Sequence, residues 1–258
     1  MKVTILGCGG SGGVPLIGCQ CAVCISTDPR NKRSRVSIVV EHDGTRVLVD
    51  TSPDLRQQFL ANGLSRVDAV VLTHSHADHL HGIDDLRSVN FHRNAPLDIW
   101  AEKHTLAEAT TRFGYAFNPP RHVDGVWYAP SLRAKEMTGP VTVGPLTVVP
   151  FRQEHGGDRD PTLGLRFGNF AYSTDVKALP EEAFKTLEGV EVWVVDCLQE
   201  RANIAHSHLA QTLDWIARVK PKRAVLTHMN HTVDYATWKA KLPPGVEPAY
   251  DGMVLEID

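Results

Sequence analysis

The sequence predicts an α/β sandwich, a single domain over residues 1–258 built from two similar halves. Three observations carry this. Apolar, β-branched runs recur along the chain, and in each half they are followed by helical segments. Five of the runs stop on an ionisable residue, at Asp50, His74, Asp175, Asp196 and His228; the carboxyl ends of strands are where α/β sheets hold their ligands. The 258 residues are 42% hydrophobic, without a low-complexity tract or linker, enough for a substantial core.

Lys2 to Leu6 reads as a first strand entering the glycine loop Gly7-Cys8-Gly9-Gly10-Ser11-Gly12-Gly13. Gly7, Gly9 and Gly12 have the spacing of a dinucleotide fingerprint, but Pro15 and the cysteines block the helix that must follow. A loop packed close to a metal site is the better reading. Cys19, Cys21 and Cys24 gather three of the five cysteines within six residues. A structural zinc site lacking its fourth ligand locally, a redox cluster and unpaired thiols are the three readings, with zinc preferred. Arg30, Lys32, Arg33 and Arg35 form a basic run divided between a solvated loop and a substrate-phosphate role. Val36 to Val40 and Thr45 to Val49 make a hairpin around Asp43-Gly44. Asp50 ends its second strand, either orienting a neighbouring group or capping the turn that follows.

Asp54 to Asn62 reads as a helix stopped by Gly63. Val67 to Leu72 is then a buried strand that delivers Thr73-His74-Ser75-His76-Ala77-Asp78-His79. His74 and His76, two apart in a turn, can point the same way. Asp78 and His79 can serve a neighbouring point as the chain turns into a helix. Such a loop supplies half the ligands of a two-metal site, with cations roughly 3.5–4 Å apart sharing one activated water.

Gly82 to Asn90 continues as a helix or irregular segment, with His81 at its start and His92 and Arg93 beyond it, placed at the surface or within reach of substrate. Residues 97–101 read as a strand, 103–113 as a helix, and 114–135 as a long aromatic-rich loop containing Pro119-Pro120. Val141 to Val143 and Leu146 to Val149 form a hairpin, and His155 follows in Gln153-Glu154-His155-Gly156-Gly157. Leu163 to Phe167 pairs with Phe170 to Ser173, ahead of Asp175. Val192 to Val195 ends at Asp196-Cys197, His206-Ser207-His208 precedes a helix from Leu209 to Val219, and Arg223 to Leu226 ends in Thr227-His228-Met229-Asn230-His231.

His74-Ser75-His76-Ala77-Asp78-His79 resembles the His-x-His-x-Asp-His motif of the metallo-β-lactamase superfamily. The resemblance implies a four-layer αββα sandwich of two mixed sheets with helices on the outer faces. It implies a first metal on His74, His76 and His155, a second on Asp78, His79 and His228, and Asp175 bridging both, with Asp50 as a supporting residue. These donors suit two manganese or zinc ions. The Cys-x-Cys-x-x-Cys knuckle, with His206 lying 22 residues before His228, resembles the PhnP-type cyclic phosphodiesterase branch. That branch implies His206 as general acid, joined by Asp78 among the catalytic residues, and His231 as fourth ligand of a structural zinc beside Cys19, Cys21 and Cys24. His208 stands where the branch often has an acidic residue, which makes it a second candidate for the acid or its partner.

The implied activity is hydrolysis of a small cyclic phosphate or nucleotide-like diester by a hydroxide activated between two metals. A tRNA 3′-end endonuclease and a non-hydrolytic protein of the pyrroloquinoline quinone biosynthesis type are the alternatives. A net charge of −3 and the lack of a long Gly/Lys-rich arm argue against nucleic acid. No run of about 18 apolar residues exists to cross a membrane. The N-terminal strand is too short for a secretory leader, so a cytoplasmic protein is expected. A homodimer is suggested by the resemblance alone.

Overall fold

The computed structural model describes residues 1–118, 127–156 and 161–258. The first sheet is built from β1 (Lys2–Gly7), β2 (Ser37–His42), β3 (Thr45–Val49), β4 (Ala69–Val71), β5 (Leu97–Ala101) and β6 (Leu132–Glu136). The second holds β7 (Val141–Val143), β8 (Leu146–Gln153), β9 (Thr162–Phe167), β10 (Phe170–Ser173), β11 (Val192–Asp196), β12 (Arg223–Thr227) and β13 (Val246–Pro248). A last strand, β14 (Met253–Glu256), returns to the first sheet. The strand orders are β14-β1-β2-β3-β4-β5-β6 and β13-β12-β11-β10-β9-β8-β7.

Both sheets are mixed in the same way. From β14 to β3 every pairing is antiparallel, and from β3 to β6 every pairing is parallel. From β7 to β10 the pairings are antiparallel, and from β10 to β13 they are parallel. The period-2 pleat explains why the strands read as unbroken apolar runs. In β2 and β3, Ile38, Val40, Val47 and Val49 enter the core between the sheets, where Leu165, Phe167 and Val194 meet them. Val39 and Leu48 face the other way, into a second core with Leu55, Phe59, Leu86 and Leu106 from helices Leu55–Ala61, Leu86–Arg93 and Lys103–Arg112. On the second sheet, Ala183, Leu187, Ile216 and Trp238 bring helices Glu181–Leu187, Leu209–Val219 and Tyr235–Lys241 against the core. No described helix is long and apolar enough to cross a membrane.

The expected loop 114–135 is not one loop. Gly114–Phe117 is a helical turn and Leu132–Glu136 is edge strand β6. Only Leu132 of that strand is buried, so its charged residues gave no alternation to read. Pro119-Pro120 and Gly157 lie outside the described residues. Strand β8 runs past Pro150 to Gln153. Beyond Val148 it pairs only with β9, so a residue without an N–H is tolerated there.

The basic run divides: Arg30 is exposed, as a solvated loop requires, and pairs with Asp28 at 2.8 Å, while Arg33 and Arg35 are engaged by the chain's own groups. Arg33 is 2% exposed and donates to Asn31 Oδ1 and Asn230 O, while Arg35 pairs with Asp54 at 2.9 Å. Arg93 is likewise occupied, donating to Val67 O and Asp68 Oδ1, and His92 is exposed on its helix. The glycine loop needs its glycines for close approach. A Cβ on Gly7 would sit 2.2 Å from Arg35 O, and one on Gly10 would sit 3.4 Å from the His228 ring.

Candidate metal centre

Five strand ends converge at one edge of the sandwich. Asp50 follows β3, His74 to His79 follow β4, and Asp175, Asp196 and His228 come at the ends of β10, β11 and β12. Asp50, Asp175 and His228 all take left-handed φ, at +61°, +51° and +56°. Non-glycine residues hold that conformation at a cost, and such strain gathers at functional sites.

Asp50 is fully buried and organises the β4 loop. Its Oδ1 accepts from Thr73 N at 2.7 Å, and its Oδ2 accepts from Thr73 Oγ1 at 2.9 Å and faces His79 Nδ1 at 2.8 Å. A carboxylate can only accept, so His79 carries its proton on Nδ1 and turns Nε2 into the site. The same logic passes to His74. The Thr73 hydroxyl spends its hydrogen on Asp50 and accepts from His74 Nδ1 at 3.0 Å, leaving His74 Nε2 free to ligate. His155 Nδ1 donates to the carbonyl of Ala205 at 2.9 Å, so its Nε2 also points inward. From outside, Arg112 Nη1 donates to Ser75 O at 2.6 Å and fixes the loop between His74 and His76.

The ligand atoms of His74, His76, His155 and Asp175 lie within 4.8 Å of one another, and so do those of Asp78, His79, Asp175 and His228. Asp175 stands between the groups. Its Oδ1 is 3.9 Å from His74 Nε2 and 3.7 Å from His155 Nε2, and its Oδ2 is 3.0 Å from His79 Nε2 and 3.4 Å from His228 Nε2. Asp78 Oδ2 lies 3.4 Å from His79 Nε2 and 3.5 Å from His228 Nε2. Two ligands about 2.1 Å from one tetrahedral cation are about 3.4 Å apart, so these spacings suit shared coordination. The Nε2 atoms of His74, His79 and His228 are buried without a hydrogen-bond partner, the condition a cation relieves.

The electrostatics of the cluster are strongly coupled. Burial alone would raise the Asp175 carboxyl, but His228 and His79 hold it well below the usual carboxylate range. Burial opposes charge on His228, yet Asp175 and Asp78 push its imidazole up to about 9. Burial opposes His79 too, and Asp175, Asp78 and Asp50 overcome it. His74 goes the other way, held well below its ordinary value by burial and by the His79 charge. Without a cation the buried carboxylates thus keep protons on His79 and His228, and ligation must displace them.

Asp196, Oδ2 of which faces His206 Nδ1 at 3.0 Å, escaped sequence reasoning as a partner of His206. Its one signal was an apolar run ending in Asp. The same oxygen accepts from Val176 N at 2.9 Å, and Asp196, His206 and His228 form a third convergent group. His208 is not brought into it. It precedes helix Leu209–Val219 as the N-cap residue, with a buried and unpartnered Nδ1. The Ala205 carbonyl and Arg112 carried no sequence signal.

Cys19, Cys21 and Cys24 also converge within 4.8 Å. The hydrogen bond from Cys24 N to Cys21 Sγ at 3.5 Å lowers the Cys21 thiol, while burial raises Cys24 although Leu16 N donates to its Sγ at 3.3 Å. His231 meets this knuckle through its backbone, accepting from Cys21 Sγ at 3.5 Å, and its ring is not among the convergent groups. The strap carrying His228 and His231 is tied down by Met229 N to Cys8 O at 2.9 Å and Gly10 N to Met229 O at 3.2 Å.

A sandwich of two mixed sheets with a buried His/Asp cluster at the strand ends defines a protein of the metal-binding α/β-sandwich class. The chain belongs to the metallo-β-lactamase superfamily: residues 45–229 match the model of the beta-lactamase superfamily domain. It is similar to a solved diphosphatase from the PhnP family, with 33% identity, a TM-score of 0.91, and coverage of 100% of this chain and 98% of that one. Zinc-bound PqqB from Methylobacterium extorquens shares the fold at TM-score 0.80 and 21% identity, both chains being covered completely. Among curated proteins, an octanoyltransferase of Porphyromonas gingivalis is 36% identical over 263 residues, covering 100% of this chain. The chain spans about half of that relative's length, 52%.

Proposed function

We propose that this protein is a metal-dependent phosphodiesterase acting on a small cyclic phosphate or nucleotide-like diester. The observation that carries the reading is the pair of ligand groups, His74/His76/His155 and Asp78/His79/His228, sharing Asp175. The similarity to the PhnP-family diphosphatase supports phosphate as the electrophile. Manganese or zinc held there would supply Lewis acidity and an acidified water. The chain's own residues do the rest. Asp50 and Ala205 O set the tautomers of His79 and His155. Asp78 is 8% exposed and holds its charge in the same group, low in pKa because His79 and His228 outweigh burial. His206 would give a proton to the leaving oxygen, a role supported by the contact of its Nδ1 with Asp196 Oδ2. The three-thiol knuckle would hold a structural zinc, and His231, whose carbonyl already meets Cys21 Sγ, would have to turn its ring inward to be the fourth ligand.

Elemental analysis combined with a screen of phosphodiesters tests the reading. Two catalytic metals and one zinc per chain are expected, with turnover of bis-p-nitrophenyl phosphate and of a 2′,3′-cyclic nucleotide. One zinc and no turnover would favour a binding module, and cleavage of precursor tRNA without small-diester turnover would favour an endonuclease.

A further inference from the structure

The metal cluster does not fill the edge of the sandwich on which it sits. Strands β4, β5 and β6 run parallel, so the ends of β5 and β6 open on the same edge as His74. Strand β8 runs with β10 through the antiparallel pairs β8–β9 and β9–β10, so its end opens there too. Between these ends lies a groove of about 760 Å³, within the range of small-molecule sites. Its floor is apolar, with Met137, Phe151 and Leu163 at 2–6% exposure. A second hollow of about 370 Å³ shares Arg152 and Pro161 with it and reaches His155 of the metal cluster. The two hollows meet at Arg152 and Pro161, between His155 and the Met137 and Phe151 floor.

The charge on the groove decides what it accepts. Glu102, Glu136, Lys103 and Arg152 line it, and Arg152 Nη2 pairs with Glu102 Oε1 at 2.9 Å. Two carboxylates against two cations leave no surplus for a second phosphate. They leave hydrogen-bonding groups around an apolar floor, the surroundings of a neutral heterocycle that carries hydroxyls. We infer that the substrate is a diester with one extended, uncharged nucleoside-like arm lodged in this groove, larger than a compact cyclic sugar phosphate. The inference rests on the phosphodiesterase reading for the arm's attachment, and the groove itself can be tested apart from turnover.

Ala107 and Thr138 line the groove and are exposed, and neither touches the metal cluster. The double variant Ala107→Leu/Thr138→Leu narrows the groove without adding charge or a ring. Kinetics with thymidine 5′-(p-nitrophenyl) phosphate should show KM rising by about tenfold or more, with methyl p-nitrophenyl phosphate changed less than about twofold. Equal effects on the two esters, or none on either, would overturn the inference. Thymidine alone, titrated against the metal-loaded protein by ligand-observed NMR, should bind the parent and lose about tenfold in affinity in the variant. An absence of saturable binding to the parent, or equal affinity in both, would overturn the inference. If neither ester is turned over by the parent, the phosphodiesterase reading fails, and thymidine binding still decides the groove.

Discussion

Asp196→Asn changes one charge and almost no volume. The residue is fully buried, and its Oδ2 accepts from His206 Nδ1 at 3.0 Å and Val176 N at 2.9 Å. A hydrogen bond to an ionised acceptor is worth about 1.5–3 kcal/mol, against about 0.5–1.5 kcal/mol for a neutral one. The variant keeps the neutral part, so the protonated His206 loses about 1–2 kcal/mol of support. Where proton donation limits the rate, that is about 5- to 30-fold in kcat. The effect must depend on the leaving group, because nitrophenolate departs without a proton and an alkoxide does not. The assay compares kcat for bis-p-nitrophenyl phosphate and for a 2′,3′-cyclic nucleotide, with metal content measured on the same samples. Slowing confined to the cyclic nucleotide is expected, at unchanged metal content. Equal slowing of both substrates would refute the acid role of His206. Loss of one metal equivalent would make Asp196 a ligand instead of a positioning residue.

His74→Ala should leave the fold intact and abolish turnover, since His74 Nε2 faces Asp175 from a residue 1% exposed; circular dichroism together with full residual activity would refute its role. Cys21→Ser should lose the knuckle zinc and lower the melting midpoint by roughly 5–10 °C, and an unchanged midpoint in a zinc-replete sample would count against a structural metal. Burial lifts the Asp251 carboxyl to about 6, although Ser34 N, Ser34 Oγ and Cys8 N all donate to it. With an unfolded value of about 3.9, the folded chain binds this proton more tightly, so the group's stabilising contribution is complete below pH ~4 and declines through pH ~6, by on the order of 2–3 kcal/mol. Asp251→Asn lacks that decline, so urea midpoints should show the variant gaining on the parent between pH 4 and pH 6.5; a difference that is flat with pH would disprove the assignment.

The convergent His/Asp set was legible because its chemistry is compact in sequence. His74, His76, Asp78 and His79 fall in six residues after an apolar run, and Asp50, Asp175 and His228 each end a run of their own. The rest needed three dimensions. His206 is separated by ten residues from Asp196, and no local pattern pairs them. The Ala205 carbonyl that sets the His155 tautomer is backbone, which any residue offers. Arg33 read as either a solvated charge or a phosphate contact because burial of a guanidinium depends on Asn31 and Asn230 reaching it from opposite ends of the chain. Strand β6 is at an edge with one buried residue, and β13 has three residues ending in proline, so neither carried a period.

The shared plan of the two sheets explains why two aspartates at matching places do different work. Asp50 and Asp175 both come just beyond the strand at which antiparallel pairing gives way to parallel, β3 in one sheet and β10 in the other. Both need a left-handed φ to turn the carboxylate back across the strand ends. In the first sheet the neighbouring β4 loop is close enough for Thr73 and His79 to occupy both Asp50 oxygens, so that carboxylate is used up as a brace. In the second sheet the Thr174 hydroxyl donates to Asp175 Oδ2 at 2.6 Å, and the carboxylate faces imidazoles from both halves. One architectural position thus yields a support on one side and, on the other, a carboxylate open to the imidazoles of both halves. His79 meets that carboxylate through Nε2 because Asp50 already holds its Nδ1.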